Sequence, residues 1–378
     1  MIGFLKSQKG LISVTIGNLG SALIIGLFWL LLASLQTVEE YGETTYFYSF
    51  ASLLASASLL GFNTTVLKFG INESNRISIQ ANQIILVSSG IFAIASAFIN
   101  LLLVPFVMGM AFWMMTTYDL LGKKNYKNYA LIMIATRTAT FGAAIGLYFV
   151  IGVLGVILGF TISFLIFSYK YFFSLKNFRW DFSEIKKKMK FSSHAYSSNM
   201  SNATFMFLDK LVIVSLFGFT TLGFYQFGFQ FLLFIGMIPI SFYQYLVPEE
   251  STGESKGKLR MFGFLVSVLL SGIILAASPW FLNTFFPSFA SEVDGFRIMS
   301  LGIIPMMVVW ILNSKFLTLE KTKYVVFGSM FFIISQISLF FVLGNIWGVF
   351  GLGTAVVTSL SLQASFLFGC SRYLKIDF

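Results

Sequence analysis

An arginine, Arg137, stands inside a long apolar run, and Asp209 and Lys210 stand side by side inside another. An ionised group at membrane depth costs a few kcal/mol on insertion scales, so a chain keeps one where it faces a partner, a wet cavity or a polar ligand. Guanidinium and ammonium groups offset phosphate charge, so the chemistry on offer is recognition of an anion. Asn18, Asn199 and Asn202 add amides within apolar segments. Such amides bond between helices, and they also suit sugar hydroxyls. Arg137 shares a helix face with Met133, Thr140 and Phe141. The competing readings for it are snorkelling toward the interface or a tie to Asp119. Neighbouring helix positions point about 100° apart. Asp209 and Lys210 therefore need not bond each other, and one is able to face a cavity while the other braces the helices. A purely structural ion pair is the alternative. Asp119, Lys123 and His194 are secondary candidates: Asp119 and Lys123 as charges at a membrane edge, and His194, the single histidine, as a capping or interface residue rather than a pH sensor.

These groups do not make a reaction centre. There is no histidine-rich metal cluster, no pair of catalytic carboxylates in a soluble domain and no nucleotide fingerprint. Gly152-Val-Leu-Gly155 lacks the Lys-Ser/Thr ending of a phosphate loop. The lone Cys370 excludes an internal disulfide framework and a cysteine-rich metal site. No catalytic residue, metal or cofactor is expected.

The elements that must position these residues are membrane helices. Hydrophobic residues make up 57% of the chain and charged residues 11%, against roughly a quarter charged in soluble proteins. A span needs about 20 apolar residues. The apolar runs predict spans near 11–35, 44–67, 129–150, 153–173, 193–217, 222–247, 261–285, 296–316, 324–343 and 348–369, with two more inside 83–121 and a turn near Pro105. Lys6 and Lys9 precede the first run, which is too long for a signal-peptide core and reads as a retained span. The net charge of +10 comes from short clusters between runs, which suits anionic lipid heads better than nucleic acid. With the N-terminus inside, the inner segments hold every Lys and Arg except Arg137, Lys210 and Arg297, while the outer loops hold Glu39, Glu40, Glu43, Glu292 and Asp294. That bias predicts both termini in the cytoplasm and an inner or plasma membrane location.

The chain also repeats itself. Asn18 matches Asn199 and Gly42 matches Gly223 at one common offset. Gly152-Val-Leu-Gly155 matches Gly348-Val-Phe-Gly351 and Lys127 matches Lys323 at a second, larger one. The first half is therefore the shorter in its middle, the cramped region 83–121. Halves that each contain an even number of spans enter from the same side, as a parallel repeat. The expected fold is an all-α polytopic membrane protein of about twelve transmembrane helices in two six-helix lobes. The lobes are 1–175 and 193–378, joined by the basic linker 176–192 with an amphipathic surface helix. Two such bundles suit alternating access.

Three stretches resemble the polysaccharide-transport branch of the MOP superfamily, the Wzx-type O-antigen flippases. They are Glu40-Tyr41-Gly42 with Gly61-Phe62; Asp209-Lys210 with Leu222-Gly223-Phe224-Tyr225 and Pro248-Glu249; and Gly348-Val-Phe-Gly351-Leu-Gly353-Thr-Ala355. The resemblance implies a V-shaped central cavity and export of an isoprenoid-(di)phosphate-linked oligosaccharide or polysaccharide repeat unit to the outer leaflet. Coupling to a proton or cation gradient and a monomeric state are expected with it. The chain departs from the family in being short between its third and fourth spans and in ending after about twelve. A multidrug or organic-ion antiporter of the same superfamily is the nearer alternative, and a membrane glycosyltransferase or polymerase the remoter one. An antiporter would be expected to carry acidic residues within the first lobe's spans, where Arg137 stands instead.

Overall fold

Two helices show which solvent this chain is built for. In the helix Gly257–Phe285 the buried positions include Gly263, Ser267, Ser271 and Ser278, while Met261, Phe262, Leu265, Leu269, Ile273 and Trp280 face outward. In the helix Arg76–Ala97, Ser78, Gln80, Asn82, Gln83, Ser88, Ser89 and Ser96 are buried while Val87, Ile91 and Ile94 are exposed. A water-soluble helix does the reverse. Small and polar residues between helices, with large apolar ones outside, are the pattern of packing in lipid. The protein is a multi-pass membrane protein.

The computed structural model describes residues 9–70, 76–175, 181–251, 257–319 and 321–374, the side chains of 9, 11, 175, 205 and 240–251 excepted. Lys6, Lys176, Arg179, Lys256 and Lys375, and the side chains of Pro248 and Glu249, fall outside that description. The described residues are almost all helical and contain no strand. In chain order the helices are α1 (Lys9–Leu35), α2 (Val38–Ser58), α3 (Phe62–Phe69), α4 (Arg76–Ala97), α5 (Leu103–Gly122), α6 (Tyr126–Ile151), α7 (Val153–Phe167), α8 (Tyr169–Leu175), α9 (Ser183–Lys187), α10 (Met189–Ser251), α11 (Gly257–Phe285), α12 (Val293–Ser300), α13 (Ile303–Thr318), α14 (Thr322–Leu339) and α15 (Asn345–Tyr373). Among the described residues eight stretches are long and apolar enough to cross a bilayer; α2 with α3, bent by 56° between them, makes a ninth. Two of the eight contain a break, because α10 is non-helical at Gly218 and α15 at Gly348.

The cramped region resolves into α4 and α5, separated by a turn around Asn100 just before Pro105. The first of these helices starts at Arg76, well before the expected apolar boundary at Gln83. Its polar opening is buried against protein, so a hydropathy boundary falls inside the helix. In the expected surface segment the described part holds the short α9 and the first turn of α10; Ile185 of α9 is buried, and its backbone N–H donates to Gln80 Oε1 at 3.0 Å.

The chain divides into two compact units, Met1–Leu32 with Glu43–Leu211, and Ala33–Gly42 with Val212–Phe378. Aromatic rings fill both cores. In the first, Phe28, Trp29, Tyr48, Phe106 and Phe164 gather around Phe160, with Phe28 edge-on to Phe160 at 5.4 Å between centroids. In the second, Phe227 stacks on Phe289 at 4.3 Å, with Phe231, Phe286 and Phe296 around it. Such edge-on and offset pairs add packing energy beyond the area they bury.

The late repeat motif is a matched pair of hairpin turns. Gly152 and Gly348 adopt φ/ψ of 65°/−142° and 56°/−132°, a region in which L side chains are strained. Three positions on, a Cβ at Gly155 would collide with the carbonyl of Leu147, and one at Gly351 with the carbonyl of Leu343. Leu147 and Leu343 are themselves separated by the offset of the motif. One piece of backbone geometry therefore occurs twice, once in each unit.

Candidate functional site

Arg137 projects from α6, and its guanidinium lies over the indole of Trp113 on α5, 5.1 Å from the ring centroid, with Phe164 of α7 at 5.9 Å. Trp113 is fixed in turn: its Nε1 donates to Thr136 Oγ1 at 3.0 Å, and that hydroxyl donates to the carbonyl of Ile132 at 2.7 Å. The stack is a cation–π contact, stronger where water is excluded. It places the guanidinium over the ring but satisfies none of its N–H groups. Arg137 Nη1 is buried and has no hydrogen-bond partner among the described residues. Nor does any described carboxylate pair with it: Asp119, the suggested tie, accepts from Ser78 Oγ at 2.5 Å and from Lys123 Nζ at 2.8 Å. The residue as a whole is half-buried.

Asp209 and Lys210 bond each other despite diverging around the helix. Lys210 Nζ lies 2.8 Å from one carboxylate oxygen and 2.9 Å from the other, and it also donates to the carbonyl of Met206 at 2.8 Å. The two side chains are only 4% exposed each. The four-carbon lysine stem folds back along the helix to reach its neighbour, which a dry surrounding strongly favours over two separate charges.

The asparagines act between helices where they act at all. Asn18 is on the exposed side of α1, and its Oδ1 accepts from the Tyr129 hydroxyl at 2.7 Å. Asn199 Nδ2 donates to Asn63 Oδ1 at 2.9 Å and to Thr64 Oγ1 at 3.1 Å, joining α10 to α3. Asn202 is exposed, and so is His194, whose Nδ1 lies 2.6 Å from the carbonyl of Lys190. Replacing Asn199 with Ala is expected to lower stability by about 0.6–1.7 kcal/mol, the range for interhelical hydrogen bonds in membranes. A thermal melt of the detergent-solubilised variant checks this, and an unshifted melt would show the bond to be idle.

The structure thus pairs Asp119 with Lys123 and Asp209 with Lys210, and sets Arg137 apart on its indole. It also contains charges that the sequence reading passed over. Lys170, between Tyr169 and Tyr171 in the sequence, and Lys315 on α13 were absorbed into apolar runs, and Lys315 is buried. Their signal was present as lysines near the ends of spans, where snorkelling is the ordinary explanation.

No family model and no curated protein sequence matches the chain. Solved structures do. The chain is similar to a lipid II flippase, MurJ, in its inward closed conformation, with a TM-score of 0.76 and 11% identity over 97% of this chain and 90% of that one. It is similar to an inward-facing multidrug-resistance MATE family transporter of the MOP superfamily, with a TM-score of 0.68 and 15% identity over 96% and 95%. A third is a MOP superfamily transporter from Pyrococcus furiosus, described as having a binding pocket of reversed polarity, with a TM-score of 0.59 and 14% identity over 98% and 96%. Nearly the whole chain therefore has the fold of these MOP-type transporter structures.

Proposed function

We propose that this protein is a MOP-type transporter that flips an isoprenoid-(di)phosphate-linked oligosaccharide from the cytoplasmic to the outer leaflet by alternating access. Two six-helix lobes, divided at 176–192, would be the moving parts, with both termini in the cytoplasm. The observation that carries the reading is Arg137: a guanidinium on an apolar helix, set over the indole of Trp113, with a buried N–H that no described residue meets. An unmet charged donor in a dry setting is costly unless a ligand supplies the acceptor. Phosphate oxygens are strong acceptors for a guanidinium fork. The sugar-phosphate head must cross about 30 Å of hydrocarbon while its tail stays in lipid. What the head needs is a cation and polar contacts; no bond has to be made or broken. The likeness to a lipid II flippase agrees with this reading, and a cation where an antiporter would be expected to place acids supports it over the antiporter.

In proteoliposomes loaded with a fluorescent isoprenyl-diphosphate saccharide, Arg137→Ala is expected to slow flipping about tenfold or more, the worth of one charge-assisted hydrogen bond. Arg137→Lys keeps the charge but loses the planar fork and the stack, and falls between the two. A well-folded Arg137→Ala that flips at the wild-type rate would remove the residue from the substrate path. Export of a cationic drug with no flipping of the lipid would favour the antiporter.

A further inference from the structure

The basic end of the first unit contains a pocket of about 300 Å³ between α4, α5 and α8. That is the lower end of the range for small-molecule sites. Its polar lining comes from Ser78, Asn82, Asp119, Lys123 and Lys170. Asp119 is already engaged at both oxygens by Ser78 and Lys123. Lys170 makes no hydrogen bond or ion pair among the described residues, so it is the spare charge, and the three ionised groups sum to one net positive charge. The second pointer is Asn82, only 5% exposed. Its Nδ2 donates to Ser174 Oγ at 2.6 Å, while its Oδ1 has no partner among the described residues. Ser174 Oγ gives its one hydrogen to the carbonyl of Tyr171 at 2.6 Å, so it accepts from Nδ2, and the amide oxygen is the atom left unmet in the pocket wall. The backbone carbonyl of Asn82 accepts from the Tyr171 hydroxyl at 2.6 Å, which holds the amide in place.

A buried, unmet amide oxygen calls for a hydroxyl or amine donor, and a spare ammonium calls for an anion. We propose that this pocket binds a phosphate ester that carries a free hydroxyl, with Lys170 on the phosphate and Asn82 on the hydroxyl. Two sources share that chemistry: the head of an anionic polyol phospholipid in the adjoining leaflet, and a soluble polyol or sugar phosphate. Either would make the pocket a site apart from Arg137, and the inference does not rest on the transported substrate.

The experiment is a calorimetric titration of the delipidated, detergent-purified full-length protein with glycerol 1-phosphate, with inorganic phosphate and with short-chain phosphatidylglycerol, using phosphatidylcholine of the same chain length as control. Binding of glycerol 1-phosphate identifies a soluble-phosphate site, and binding of phosphatidylglycerol alone identifies a lipid site. Lys170→Glu is expected to abolish binding and Lys170→Arg to retain it, both at an exposed enough position to leave the fold intact. Asn82→Ala is expected to weaken glycerol 1-phosphate about tenfold and to leave inorganic phosphate unchanged. The proposal is overturned if no anionic probe binds, if Lys170→Glu binds as wild type, if phosphatidylcholine binds equally, or if Asn82→Ala weakens both anions alike.

Discussion

Asp209→Ala or Lys210→Ala, made singly, is expected to lower the stability of the protein by about 3–5 kcal/mol, because either leaves an uncompensated charge in a dry site. The pair is only 4% exposed on each side and is closed by bonds of 2.8 and 2.9 Å. The double variant Asp209→Leu with Lys210→Met is expected to recover most of that loss, since an apolar pair of similar volume meets no desolvation penalty. Melting temperatures in detergent check both expectations, and Asp209→Leu and Lys210→Met made singly, with their double variant and the wild type, complete the double-mutant cycle. Single variants that melt with the wild type would mean that the pair is wet and loosely held. The cycle also decides what the pair is for. A double variant that melts normally but no longer flips lipid would place the charges in the transport cycle. One that melts and flips normally would reduce them to a brace.

That distinction marks the limit of what spacing alone could disclose. Arg137, Asp209 and Lys210 were visible as charges in apolar runs, because composition alone makes an intramembrane charge conspicuous. Their partners were not visible. The indole under Arg137 comes from the preceding helix, and nothing in the run around Trp113 distinguishes it from other lipid-embedded aromatics. Adjacency on the helix left open whether Asp209 and Lys210 would bond each other, because backbone direction does not decide it; the reach of the lysine stem does. The pocket around Asn82 was visible only at its edge, through Asp119 and Lys123. Its lining is assembled from positions far apart in the chain, from Ser78 to Ser174, and its polar opening helix looked too hydrophilic to be a span. Hydropathy assumes that every helix face sees lipid. The polar face of α4 sees protein.

Repetition was easier to read than chemistry, since glycines at a fixed offset leave a trace that side-chain packing does not. Gly152 and Gly348 match in the sequence and again in their positive φ. Such a position tolerates little else, so the residue type records the backbone directly.

The early repeat pair, Gly42 and Gly223, leads to the second large effect. A Cβ on Gly42 would collide with the carbonyl oxygen of Phe219, and a Cβ on Gly223 with the carbonyl oxygen of Val38. Val38 and Phe219 are separated in the sequence by the same interval as the two glycines. Each member of one equivalent pair therefore touches the opposite member of the other, the reciprocal pattern of an isologous contact around a local two-fold axis. The obstacles are backbone carbonyls within helices, which cannot rotate aside as a side chain would, so the start of α2 and the second half of α10 must move apart. Gly42→Ala and Gly223→Ala are each expected to cost about 1–3 kcal/mol, the usual penalty of overpacking, despite alanine's better helix propensity. Their combination is expected to cost less than the two effects added, by roughly 0.5 kcal/mol or more, because the gap opened by the first methyl admits the second. Gly142→Ala and Gly146→Ala on α6 serve as controls. A Cβ at either meets nothing within 4 Å, so these variants should equal or exceed the wild type in melting temperature. Strict additivity at 42 and 223, or alanine accepted without loss at both, would mean that the two helices do not cross at these glycines.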